Sequence, residues 1–200
     1  MVCYLLINAY YRLRANAPNL DIEVKKFLLL ISFSFFFISA DIVRFAPSGT
    51  GDAPTKIKAT FLYNFTKYIE WPDEYKQGNF VIGVMGNNAL YNDLSTFFST
   101  KTLGTQKYEI RMFTKASEIT RCHMIFLPSD YTGSVAEVIT KLKGKSTLLV
   151  TDKAGMAKQG AAINFVSVDN KQKFELNKTN VEKYDLKVSS SLISLAIVVD

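Results

Sequence analysis

Cysteine and histidine are nearly absent from this chain. Its 200 residues hold two cysteines and one histidine. Cys3 lies ahead of an apolar leader, so Cys122 stands alone after position 40, and one thiol forms no internal bridge. Cys122 opens an apolar run, Cys-His-Met-Ile-Phe-Leu over 122–127, that reads as a buried strand. A structural thiol is the expectation, because no base or metal partner is evident. A zinc site would lack ligands beyond Cys122 and His123. A nucleophile–histidine system would need His123 as its base, and no Gly-x-Ser-x-Gly elbow is present. Gly-x-Gly-x-x-Gly and Gly-Lys-Ser/Thr are missing as well. Gly83-x-x-Gly86 does end a strand ahead of a helix, but its glycines read as close packing and a tight turn. Asp130 and Asp152 have no visible acid or base partner to make a hydrolase. No catalysis, metal or cofactor is expected.

Clustered charge is scarce too. The net charge is +6. Residues 1–40 carry four basic side chains (Arg12, Arg14, Lys25, Lys26) and two acidic ones (Asp21, Glu23), which leaves 20 basic and 16 acidic, a net +4, over 41–200. The lysines are scattered. Their densest group, Lys141, Lys143 and Lys145, closes an expected helix, where cations complement the dipole. This is a solvated surface, not the one-sided basic face that binds nucleic acid. Disorder over most of the length is excluded by 48% hydrophobic and only 21% charged residues.

The twelve-residue apolar run at 27–38 is short of the roughly 20 residues that span a bilayer. Lys25-Lys26 precedes it and Ser39-Ala40-Asp41 follows. Basic region, apolar core and small residue in that order make a secretory signal peptide. Cleavage is expected after Ala40, although Ile38 stands where alanine is commoner. A retained, anchoring leader is the alternative. Residues 1–24 fit no signal pattern and suggest an over-extended start. The chain thus divides into a leader at 1–40, a flexible lead-in at 41–54 rich in proline and glycine, and a domain at 55–200.

Within the domain, Ile57, Phe61, Phe65 and Tyr68 recur at helical steps, and Pro72 stops this helix at about Glu70-Trp71. Strands are expected at 80–85, 108–113, 122–127 and 147–151, with helices at 89–98 and 134–142. Strands at 161–166 and 173–176 join through the turn-prone Val168-Asp169-Asn170. Asn177 or Thr179 caps a short helix to Tyr184, and 189–198 forms the last helix. Continuous apolar strands alternating with helices predict an α/β fold: a mostly parallel sheet covered on both faces, with the late pair as an antiparallel edge.

Two surfaces follow. Gly86-Asn87-Asn88, Pro128-Ser129-Asp130 and Asp152-Lys153 would emerge at the carboxyl ends of parallel strands, where open α/β sheets bind ligands. Asn87, Asn88 and Asp152 are the candidate ligand-binding residues. The late pair offers a sheet edge, on which Glu175 and Asn177 alternate with Phe174 and Leu176 and would face a partner. The alternative for these two is a solvated residue and a helix cap.

Six stretches, taken together, are those of a family. Lys58-Ala59-Thr60-Phe61-Leu62-Tyr63-Asn64-Phe65-Thr66-Lys67-Tyr68-Ile69-Glu70-Trp71-Pro72 resembles the opening motif of the YfiR family. Collinear matches follow at 80–86, 122–127, 160–166, 174–177 and 189–192, so the resemblance spans about 55–198. It implies a periplasmic, dimeric α/β protein that binds and inhibits the periplasmic sensor region of a membrane-bound diguanylate cyclase. Cyclic di-GMP output, and with it biofilm formation, would fall. A periplasmic small-ligand binding protein or sensor is the alternative. Some relatives are held competent by disulfides; here Cys122 has no second cysteine after position 40. The expected last helix also ends Leu195-Ala196-Ile197-Val198-Val199, where the resemblance implies arginines.

Overall fold

The first helix, α1, begins at Ala53 and runs to Tyr68 in the computed structural model, which describes residues 53–200. The leader expected at 1–40 and the lead-in up to residue 52 lie outside the described residues. Pro54 occupies the first turn of α1, where an N–H would have no helical partner anyway. The apolar stripe buries Leu62 and Phe65 completely and Phe61 in part, whereas Ile57 and Tyr68 stay exposed. The helix ends short of the expected Glu70-Trp71. Ile69–Glu70 instead form a short strand, β1, paired antiparallel with β9, Lys187–Val188. Pro72 favours extended backbone before it, and β9 supplies the ladder that extends the chain two residues earlier.

The main sheet contains β2 (Phe80–Met85), β3 (Thr102–Leu103), β4 (Gln106–Phe113), β5 (Met124–Leu127), β6 (Leu148–Thr151), β7 (Ile163–Val168), β8 (Lys171–Asn177) and β10 (Ile197–Val199). Their order is β10-β8-β7-β6-β5-β2-β4-β3. The block from β7 to β4 is parallel throughout. β2, β5 and β6 are buried along their whole length, as strands covered on both faces must be. Helix α1 covers one face through Phe61, which packs edge-on to Phe165 and Phe174. α2 (Asn88–Phe98) lies beside it, with Phe98 against Tyr108. α3 (Val135–Leu142) connects β5 to β6, a step in the opposite direction to β2–α2–β4. Right-handed crossovers therefore put α3 on the other face. Gly83 sits in mid-strand because a Cβ there would lie 2.5 Å from Ile125 and 2.7 Å from Phe113.

β7 and β8 are antiparallel, as expected, and Asp169 and Asn170 adopt the two positive φ angles of a tight hairpin turn. Beyond them the expectation of a single helix at 189–198 is corrected. α4 (Lys178–Lys183) and α5 (Ser190–Leu195) are short, Ala196 is extended, and Ile197–Val199 form β10, parallel to β8. Three successive β-branched side chains disfavour helix and suit a pleated ladder. β8 is hydrogen-bonded on both sides, so the margin of the sheet is β10.

Candidate functional site

Neighbouring parallel strands bring the expected ligand residues to one end of the sheet. The connections leaving β2 and β5 run in opposite directions across the sheet, so the loops after them flank its topological switch point. Asn87 caps α2: its Oδ1 accepts from the Leu90 N–H at 2.8 Å, and its Nδ2 donates to Asp130 at 2.5 Å. Asn88 is the first residue of α2. Asp152 receives Lys58 of α1 at 2.6 Å, largely shielded from solvent. Lys153 donates to the Tyr131 carbonyl at 2.6 Å. Asp152 and Asn87 therefore already hold partners from within the chain.

A buried amide joins this end of the sheet to Glu175. Asn164 is 0% exposed. Its Oδ1 accepts from the Thr151 hydroxyl at 2.8 Å and the Lys153 N–H at 3.2 Å, and its Nδ2 donates to Glu175 at 3.0 Å. Glu175 is half-buried. Asn177 has a different position from the outward one expected of it. It is 5% exposed, its Oδ1 caps α4 by accepting from the Asn180 N–H at 2.9 Å, and its Nδ2 donates to the Ala157 carbonyl. Alternation does turn both residues away from α1. The turn at Met156–Gln159 then covers Asn177, and a helix begins directly behind it, so the capping role consumes its side chain.

The histidine is equally engaged. His123 Nδ1 accepts from the Val81 N–H at 2.9 Å, which leaves the proton on Nε2 to meet the Tyr75 carbonyl at 2.7 Å. The ring stacks on Phe80 at 4.3 Å, and the His123 carbonyl accepts from the Trp71 indole at 2.9 Å. Burial holds the imidazole below its ordinary pKa. Burial likewise pushes the Cys122 thiol up to about 11, the opposite of a reactive cysteine. Among the described residues no group of three or more side chains could hold a metal, and no helix is long and apolar enough to cross a membrane.

What the sequence reasoning missed is the β10 margin. Leu195 is 69% and Val198 51% exposed, and Ile197 is exposed beside them. The opposite margin differs. It ends in the two-residue β3, and past that short hairpin β4 carries an Arg111–Glu109 ion pair at 2.7 Å, the kind of charge that keeps an edge from pairing. The β-branched run Ile197-Val198-Val199 was the signal available for β10.

Residues 55–197 match the family model described as YfiR/HmsC-like. The chain belongs to the YfiR/HmsC-like family. That family is periplasmic, regulatory and non-catalytic, and it acts in diguanylate cyclase signalling through a membrane sensor partner. No curated protein matches the sequence. Glu70-Trp71-Pro72, within the matched residues, is the segment that docks on His123. Trp71 is buried edge-on against Phe80 at 5.0 Å.

Proposed function

We propose that this chain is exported by its leader, loses residues 1–40 as a signal peptide, and works in the periplasm as a dimer without catalysing a reaction. In this reading the domain at 55–200 binds and inhibits the periplasmic sensor region of a membrane-bound diguanylate cyclase and lowers cyclic di-GMP output. The observation that carries the reading is family membership over residues 55–197. The internal pairing of Asn87, Asp152 and His123 supports it, since these groups are committed to the fold. The contact surface in this reading is the β10 margin, with Glu175 beside it at the register of Ile197. Capture from membranes by the wild-type protein and by Val198→Lys and Glu175→Lys variants tests it. A cyclase recovered by the wild type and lost with Val198→Lys, at unchanged melting temperature, supports the surface. Recovery of no sensor protein by the wild type overturns the function.

The topological switch point between β2 and β5 favours a second reading, a small ligand bound near Asn87, Asn88 and Asp152. A thermal-shift screen separates the two, because a ligand that binds the native state raises its stability as RT ln(1 + [L]/Kd).

A further inference from the structure

We propose that His123 is an acid-sensitive latch, which holds the Trp71–Tyr75 segment on the sheet while neutral and releases it when protonated. The geometry admits only one neutral tautomer. Val81 presents an N–H to Nδ1, so Nε2 carries the hydrogen that meets the Tyr75 carbonyl. A second proton on Nδ1 would place two donors face to face. The ring cannot turn away from Val81 without also withdrawing Nε2 from Tyr75, because the two bonds leave opposite sides of one rigid ring. Protonation therefore acts on the 71–75 segment directly.

Apart from the Tyr75 carbonyl, which Nε2–H meets in either form, the surroundings offer the cation nothing in exchange for the lost Val81 bond. On the docked segment the Tyr75 ring lies 5.3 Å away, the Glu74 carbonyl is taken by Arg121, and Lys76 pairs with Asp73 at 2.7 Å and with Glu70 at 3.8 Å. Just before it in the chain come the buried Cys122 thiol and Arg121, whose guanidinium stacks 4.2 Å from the Tyr75 ring and opposes a further positive charge. From β2 comes Phe80. From β4 come the Tyr108 ring against Phe80, the Gln106 amide on the Tyr75 carbonyl at 3.0 Å, and the Glu109–Arg111 pair, already mutually satisfied. Toward β6 stand the Thr147 hydroxyl, bonded to the Cys122 carbonyl, and Lys145. No carboxylate bonds to the ring, whose two nitrogens both face backbone groups.

The segment is suited to local opening. It consists of β1, one 3-10 turn at Asp73–Tyr75 and an exposed loop to Asn79. Its buried anchors are Ile69, Trp71 and Tyr75, and an element this short, bounded by exposed loop, opens below the global unfolding free energy once an anchor is lost. β1 is also the partner of β9, which runs into α5 and β10, so release of the latch loosens the support of that margin. The latch is a property of this chain alone, whichever partner it binds.

The composition makes the test unambiguous, since the chain has one tryptophan and one histidine. Trp71 fluorescence and far-UV circular dichroism are followed together from pH 7.5 to 4.5 in the purified protein. The expected result is a one-proton red shift of Trp71 emission, with a midpoint below 6.5 and unchanged dichroism. His123→Gln should abolish the shift, because an amide accepts from Val81 and donates to Tyr75 without titrating. Constant emission, a shift that persists in the variant, or a shift that coincides with loss of dichroism overturns the latch. Should the variant fail to fold, proton NMR of the single imidazole in the unaltered protein decides. Its titration midpoint must coincide with that of the emission, and disagreement overturns the proposal.

Discussion

The docked motif around Trp71 and the β10 margin are opposite in character, although both are apolar. Trp71, Phe80 and His123 are buried, interlocked by ring contacts and hydrogen-bonded to backbone. Ile197 and Val198 are exposed on the marginal strand β10, and Leu195, the last residue of α5, is exposed beside them. The first group carries the family resemblance, and its residues hold the scaffold. The second group faces outward. The Trp71 segment is thus committed to internal packing, whereas the β10 margin leaves apolar side chains uncovered among the described residues.

Four substitutions or conditions sharpen or break that contrast. The largest effect is expected at Phe65, which is wholly buried 5.0 Å from Phe174. Phe65→Ala should cost about 3–5 kcal/mol in denaturant unfolding. A cost below about 1 kcal/mol would show that α1 is not a core element. Trp71→Phe removes the indole bond to His123 and some packing while keeping an aromatic ring, and about 1–2 kcal/mol is expected. An unchanged midpoint would detach the motif from the scaffold.

Acidification is the third probe. The folded pKa of His123 is depressed below the unfolded value of about 6.5. The unfolded chain therefore takes up a proton first as pH falls. The stability term is fully present above about 6.5 and is lost between there and the folded pKa, at no more than about 1.4 kcal/mol per pH unit. Melting temperatures at pH 7.5, 6 and 5 should fall in that order for the wild type. An identical decline in His123→Gln would assign the effect to other groups. The smallest stability change belongs to the margin: Val198→Lys should alter unfolding by less than about 0.5 kcal/mol, as an exposed site does. A loss of several kcal/mol would make β10 part of the core and dissolve the contrast.

Legibility in the sequence followed how local the controlling physics was. The strand over 80–85 and the helix over 89–98 were readable because continuous burial and an asparagine cap leave local signatures. Gly83 was readable as a packing glycine, and Cys122 as a buried thiol, for the same reason. The helix expected at 189–198 failed at Ala196, where apolar periodicity suggested one structure and three β-branched residues favoured another. Asn177 carried both of its readings in the sequence, cap and contact. Only the turn at Met156–Gln159, folded over it from twenty residues away, decided for the cap.

By itself the sequence determined the α/β class, the parallel core and the family, because hydrophobic period, caps and collinear motifs are properties of neighbouring residues. Tertiary structure alone decided which strand forms the margin, that Asn164 ties Glu175 to the end of β6, and that His123 bridges the Val81 N–H and the Tyr75 carbonyl. Each of these is a relation between groups distant along the chain. Such a relation depends on strand order and register, which single-residue preferences do not encode.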